Sequence, residues 1–227
     1  MSVFGWWAVV FTGAVGTPVH EIGHWLGCKI FGFRVVDVAL FRPFAGRYDG
    51  VLGYVTYSYS GQSTWSRIGS FVTGIAPLVF GCVVILLILR FLTPEIYRRI
   101  RDRIDTAYKK RGAAKIPSVL WAAVSGFFTG LFSLRRFGIV RGVLCLYLVT
   151  SISMHMSLSA ADLKGAAAGF IVIIALYLVY GVIATLLKTD YVKHCAHVAA
   201  SVAAFLSIGL VFSLIMLALS SIVAVIF

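Results

Sequence analysis

Six long apolar runs divide this chain, and they constrain its fold more strongly than any other feature. Each approaches the roughly 20 residues that an α-helix needs to cross a bilayer. The runs cover residues 3–30, 71–92, 117–134, 139–158, 166–187 and 196–227. With 60% hydrophobic residues and a mean hydropathy of +0.97, the chain is far more apolar than a soluble domain. The pattern predicts an all-α, polytopic, multi-pass integral membrane protein with about six transmembrane helices, forming a single domain over residues 1–227.

The net charge of +12 is concentrated near the ends of the apolar runs, above all between residues 90 and 115. This distribution is typical of contact with a lipid bilayer that carries anionic headgroups, and it argues against a nucleic-acid partner. Within segment 93–116, Thr93 and Pro94 resemble the N-cap and first position of a helix. Isoleucines then recur every four residues. Two interpretations stay open: a basic amphipathic helix on the membrane surface, or a solvated linker helix.

The motif His20-Glu21-Ile22-Gly23-His24 lies inside the first apolar run. On a helix the two histidines share one face, so both can bind one zinc ion while Glu21 acts as general base on the zinc-bound water. A charged residue at the centre of a transmembrane helix costs about 2.5–3.5 kcal/mol, which makes such residues functional candidates. The motif predicts one zinc per chain. Buried polar groups that only hydrogen-bond to neighbouring helices are the alternative.

A catalytic zinc usually has three protein ligands, so a third must come from elsewhere in the chain. Asp162 is the favoured candidate because it lies between two apolar runs, where a carboxylate can enter a helix bundle. Ser159-x-x-Asp162 also has the pattern of a capping box, which leaves open a purely structural role. His155 lies seven residues earlier on the same predicted helix face. It is a candidate either to hydrogen-bond to a metal ligand or to serve as an alternate ligand.

Two other sets of metal-binding residue types are weaker candidates. Cys28 follows His24 by four residues, but small, apolar-acting cysteines are common in protein interiors, and packing is the favoured interpretation. His194 and His197 have helical spacing but border the last apolar run among basic residues. We expect these two histidines at the membrane interface.

The alternating stretch 53–59 follows the turn signal Asp49-Gly50 and predicts a strand in a short, re-entrant β-hairpin after the first span. A helical membrane substrate hides its carbonyls in hydrogen bonds. An exposed edge strand could capture the unwound substrate by strand addition, with Tyr54, Val55, Thr56 and Tyr57 as the possible substrate-binding strand. A structural hairpin that covers the bundle is the alternative.

Three segments together resemble a known family. Residues 17–24, with Gly32 and Val35 shortly afterwards, resemble the first core helix of the site-2 protease family of intramembrane zinc metalloproteases. Gly53-Tyr54-Val55 resembles the membrane-associated strand region of that family, and residues 74–78 (GIAPL) resemble the Gly-Pro element of its next core helix. The similarity covers about residues 12–92, and it is loose around Asp162. There the family motif has Gly after the aspartate and a preceding Asn-Pro, whereas this chain has Leu163.

The resemblance implies an integral membrane metalloprotease that hydrolyses peptide bonds of transmembrane protein substrates. It implies zinc ligands at His20, His24 and Asp162, with Glu21 as the base. The alternative is a noncatalytic membrane protein that uses the metal site for structure or for binding a transmembrane partner. Small residues at 165–169 permit close helix packing within the chain or in a homo-oligomer.

Overall fold

The computed structural model describes residues 5–60, 63–109, 115–132 and 139–159, together with the helical positions 162, 164, 167, 169, 171, 172 and 175. The elements in chain order are α1 (Gly5–Phe31), β1 (Arg34–Ala39), α2 (Gly46–Asp49), β2 (Tyr54–Ser58), α3 (Thr64–Leu92), α4 (Pro94–Tyr108), α5 (Lys115–Phe132) and α6 (Ile139–His155). The predicted combination of a mostly helical chain and a small β-hairpin is confirmed. The sixth apolar run, most of the fifth, and His194 and His197 lie outside the described residues.

The described residues form two compact units. One contains residues 13–81 and the described residues between His155 and position 175, and includes most of α1, the hairpin and the first part of α3. The other contains residues 5–12 and 82–154, and includes α4, α5 and nearly all of α6. All residues of the candidate site described below belong to the first unit.

Among the described residues, α3 is the helix that is long and apolar enough to cross a membrane. It has 29 residues, and Val79, Val83, Leu87 and Phe91 form an exposed apolar stripe along one face. Helix α1 is similar in length, at 27 residues, but carries the polar motif. The six-span topology therefore stays a prediction, with one candidate span in the described part of the chain.

The amphipathic pattern predicted for segment 93–116 is confirmed in α4, which has Pro94 at its first turn. Its apolar face, however, is not open to lipid. Ile96, Ile100 and Ile104 are buried, and Gly126 and Gly130 of α5 let their side chains approach closely. The isoleucine face of α4 therefore packs against protein. In a helix bound to the membrane surface, that face would contact the bilayer.

Thr93 occupies the N-cap position of α4, as predicted, but its side chain does not cap the helix. The side chain of Thr93 makes no capping hydrogen bond to α4. Its hydroxyl group instead lies 3.4 Å from the carbonyl oxygen of Leu89 and 3.5 Å from Cys145 Sγ. Because Thr93 is buried at the junction of α3 and α4, its hydroxyl finds partners in the preceding turn and in α6.

The hairpin has the predicted strand but a different connection. Strand β2 pairs antiparallel with β1, from Arg34 opposite Ser58 to Ala39 opposite Tyr54, and an irregularity lies near Val36. The connection is not a tight turn at Asp49-Gly50. It contains the short helix α2, which ends at Gly50 with a positive φ of 76°.

Aromatic residues anchor this hairpin at the end of α1. The ring of Phe33 stacks on Tyr59 and Tyr57, with centroid distances of 4.6 and 5.9 Å. Phe31 packs against Trp65 at the start of α3, with a centroid distance of 4.8 Å. Burial raises the pKa of the Tyr57 hydroxyl group to about 12. The cluster holds β2 in a fixed position relative to the helix that carries the motif.

Candidate metal centre

The polar motif lies on the buried side of α1. His24 and Glu21 are 6% and 7% exposed, and the His20 ring is partly buried. The two imidazole rings meet edge to face, with their centroids 4.8 Å apart. The i, i+4 spacing therefore has the predicted effect of bringing both rings to one place.

Two glycines on α1 let α3 approach the two histidine rings. A Cβ atom on Gly23 would lie 2.6 Å from the Cα atom of Pro77, and one on Gly27 would lie 2.8 Å from the Cα atom of Thr73. Neither position tolerates a side chain without movement of the α3 backbone. Gly23-x-x-x-Gly27 is thus a small-residue contact of the kind that allows helices to pack closely in membranes.

Backbone carbonyl groups orient both imidazole rings. His24 Nδ1 lies 2.9 Å from the carbonyl oxygen of Thr73, and His20 Nδ1 lies 2.7 Å from that of His155, the last residue of α6. A carbonyl oxygen only accepts, so each Nδ1 atom must carry the proton and donate it. In a neutral ring this leaves the lone pair on Nε2, which is the tautomer that binds a metal through Nε2.

The two Nε2 atoms and one Asp162 oxygen converge on a small space. His24 Nε2 lies 3.1 Å from His20 Nε2 and 3.2 Å from Asp162 Oδ1, and all three atoms lie within 4.8 Å of one another. Two lone pairs and a carboxylate oxygen repel at such distances unless a cation lies among them. A proton on His24 or a metal ion meets this requirement. Ligands about 2.0–2.1 Å from a tetrahedral zinc are about 3.3 Å apart, so the two shorter distances fit that ion.

Asp162 is placed for both roles that its sequence context suggested. Its Oδ2 atom accepts hydrogen bonds from the Ser159 backbone N–H and hydroxyl group at 2.8 and 2.6 Å, while Ser159 Oγ accepts from the Asp162 N–H at 3.1 Å. This is a reciprocal capping box. The other oxygen, Oδ1, faces His24.

Glu21 contacts the start of the hairpin. A Cβ atom on Gly53 would lie 2.7 Å from Thr17 Cγ2, 2.9 Å from Glu21 Cγ and 2.9 Å from the carbonyl oxygen of Leu40. Gly53 immediately precedes β2, so the strand begins beside Glu21. The absence of a side chain at Gly53 is what allows this approach.

Gly53→Ala is therefore expected to displace Glu21 or the hairpin while leaving the metal-ligand candidates in place. We expect kcat for peptide hydrolysis to fall at least about tenfold, because small misplacements of a catalytic group are costly, and zinc content to stay unchanged. Val51→Ala, at an exposed position of the same connection, is the control. Equal kcat values for Gly53→Ala and wild type would contradict this account of the contact.

Other residues take different roles from the ones considered. His155 contributes its backbone carbonyl group to His20, and its ring is not in the cluster of three ligand atoms. Cys28 is buried and likewise not in that cluster, as the packing interpretation expects. The roles of Thr73 and of the Gly23-x-x-x-Gly27 contact were not anticipated. The spacing of the glycines is a recognisable sequence signal. The residue type of Thr73, in contrast, does not indicate that its backbone carbonyl group accepts a hydrogen bond from a histidine.

Comparison of the chain with protein-family models, with curated proteins and with solved structures found no match. The resemblance to site-2 proteases therefore depends on the motifs quoted above. The structure adds independent information about the site, because it places Asp162 3.2 Å from His24, which lies 138 positions earlier in the sequence.

Proposed function

We propose that this chain is an intramembrane zinc endopeptidase that hydrolyses peptide bonds of membrane-spanning proteins. One observation carries the proposal. Two imidazole Nε2 atoms and a carboxylate oxygen lie within 4.8 Å of one another, and the buried Glu21 is the neighbour of His20 in the sequence. Two histidines and one carboxylate form the ligand set of several zinc peptidases.

The donor set favours zinc over other common cations. Calcium and magnesium prefer ligand shells made of oxygen, whereas imidazole nitrogens suit zinc and other late transition metals. Three protein ligands leave one position of a tetrahedral ion available for water or substrate. Bound zinc would supply a Lewis acid that polarises the scissile carbonyl group and lowers the pKa of a water molecule.

The protein's own residues have separable tasks in this reaction. His20, His24 and Asp162 would hold the ion, and the carbonyl groups of His155 and Thr73 fix the imidazole orientations. Glu21 accepts a proton from the attacking water and then passes it to the leaving amine. A buried carboxylate is suited to both steps, because low exposure keeps bulk water from competing for the proton.

The hairpin suits an extended substrate. Within the described part of the chain the sheet has two strands, so each strand has one edge that the other strand does not pair with. A substrate segment that unwinds from its helix can replace its lost hydrogen bonds by adding to such an edge. Strand β2, which contains Tyr54 to Tyr57, is the better candidate because it starts beside Glu21 through Gly53.

Three features support a membrane location. The exposed apolar stripe of α3 suits contact with lipid, and the aromatic cluster around Trp65 suits a membrane interface. A cavity of about 760 Å³ beside α4 and α5 is lined by Arg98, Arg99, Arg103 and Trp121, and also by Glu95 and Asp102, so its guanidinium groups outnumber its carboxylates three to two. Guanidinium groups and an exposed indole suit anionic lipid headgroups.

The test combines zinc content with proteolysis. We expect about one zinc per chain in detergent-purified protein. In proteoliposomes we expect cleavage of single-span reporter proteins whose transmembrane helices contain Gly or Pro near mid-span. A zinc chelator should stop cleavage and added zinc should restore it. Stoichiometric zinc without cleavage of any reporter would favour the noncatalytic metal site, and folded protein without zinc would exclude both functions.

A further inference from the structure

Helix α3 contains a proline at a position that affects the candidate metal centre. Pro77 lies inside the helix and has no backbone N–H. In a regular α-helix the N–H of residue 77 would donate to the carbonyl oxygen of residue 73. The carbonyl group of Thr73 therefore lacks its normal helical donor.

The Thr73 carbonyl group is the one that accepts from His24. The distance from His24 Nδ1 to this oxygen is 2.9 Å, and Thr73 is fully buried. A buried carbonyl group that lost its helical partner needs another donor. Here the imidazole N–H takes the place of the missing backbone N–H, and the close contact of Gly23 with Pro77 keeps the two helices near enough for it.

We propose that Pro77 is a positioning residue for His24. By removing its own N–H from the helix, Pro77 reserves the Thr73 carbonyl oxygen for His24 Nδ1. This selects the ring tautomer and orientation that direct the Nε2 lone pair towards His20 and Asp162. The inference deepens the proposed function, since its metal readout depends on zinc binding at this site.

Substitution Pro77→Ala restores a competing donor without adding bulk. Alanine keeps the Cβ atom of proline and is the best helix former, so α3 should persist. The new N–H then competes with His24 for the same carbonyl oxygen. Loss of hydrogen bonds that orient ligating histidines typically weakens metal binding 10–100-fold. We expect the zinc Kd of Pro77→Ala to rise at least about tenfold in competition with a chromophoric chelator.

Pro18→Ala is the matched control. Pro18 is also inside a helix, α1, and removing it restores an N–H opposite the carbonyl group of Ala14. Both ligating imidazoles donate elsewhere, to His155 and Thr73. We therefore expect less than a twofold change in zinc Kd for Pro18→Ala. An unchanged Kd in Pro77→Ala, or equal weakening in the two variants, would overturn the inference.

A second readout does not require zinc. The ¹⁵N chemical shifts of a histidine ring distinguish its two neutral tautomers, and the His24 signals can be assigned as those lost in His24→Gln. In chelator-treated wild type, at an alkaline pH at which the shifts report a neutral ring, we expect the Nδ1–H form of His24, and in Pro77→Ala a shift towards the Nε2–H form. The same tautomer in both proteins would overturn the role of Pro77. Failure of wild type to bind zinc would instead overturn the proposed function and leave this comparison valid.

Discussion

Glu21→Gln should leave zinc bound at about one ion per chain and lower kcat for transmembrane substrates by about 10²–10⁴-fold. Glutamine has nearly the same shape, so it preserves the packing of this buried side chain against Gly53. It cannot accept the proton of the attacking water, and general base catalysis typically contributes this much to the rate. Single-turnover cleavage of a reporter in proteoliposomes measures the effect, with zinc content determined on the same preparation.

Glu95→Gln is the control, because Glu95 is the chain's other glutamate. It lies in the first turn of α4, and its contact with Arg98 is a long one of 4.0 Å. We expect it to retain wild-type kcat. Near-normal turnover by Glu21→Gln would remove Glu21 from the reaction and favour a site that serves structure or partner binding.

Asp162→Asn should lower zinc affinity by more than about 100-fold, beyond the 10–100-fold range typical of residues that only support metal ligands. The asparagine side chain keeps one carbonyl oxygen that can accept from the Ser159 N–H, so the start of the helix can persist. It lacks the negative charge and the second acceptor that face His24. Titration with zinc against a chromophoric chelator measures the loss, and circular dichroism monitors the fold.

Ser159→Ala makes the complementary change. It removes the hydroxyl group that bonds to Asp162 while leaving the carboxylate present. Loss of such a cap costs about 0.5–2 kcal/mol of stability, and we expect zinc affinity to fall only about tenfold, in the range for an orienting residue. Similar zinc affinities for Asp162→Asn and wild type would show that the carboxylate serves the cap alone. Asp102→Ala, at an exposed site of α4, is the control for loss of an acidic residue.

Local sequence patterns were sufficient to predict the features that depend on the spacing of residues along the chain. The i, i+4 histidines predicted a shared helix face, and alternation predicted β2. The choice of Asp162 from among the acidic residues followed from its place between apolar runs, and the structure brings it to His24. In each case the relevant interaction is set by neighbours in sequence or by hydrophobic context.

Features that depend on distant contacts were not predictable in the same way. Strand β2 pairs with β1 across a 14-residue connection, in which Asp49-Gly50 marks the end of α2 rather than a two-residue hairpin turn. The isoleucine stripe of α4 indicates an apolar face but not whether lipid or protein covers it. The partners of His20 and His24 are backbone carbonyl groups, which every residue type possesses.

The two oxygen atoms of the Asp162 carboxylate couple the folding of a helix start to the binding of a cation. One oxygen closes the capping box and the other faces His24, so ordering this helical start and assembling the cation site reinforce each other. A ligand that binds only the folded protein stabilises it, and each tenfold increase in free ligand above Kd adds about 1.4 kcal/mol. If zinc is that ligand, resistance of this chain to unfolding and to degradation rises with the metal supply. Zinc availability then governs the abundance of the protein as well as its activity.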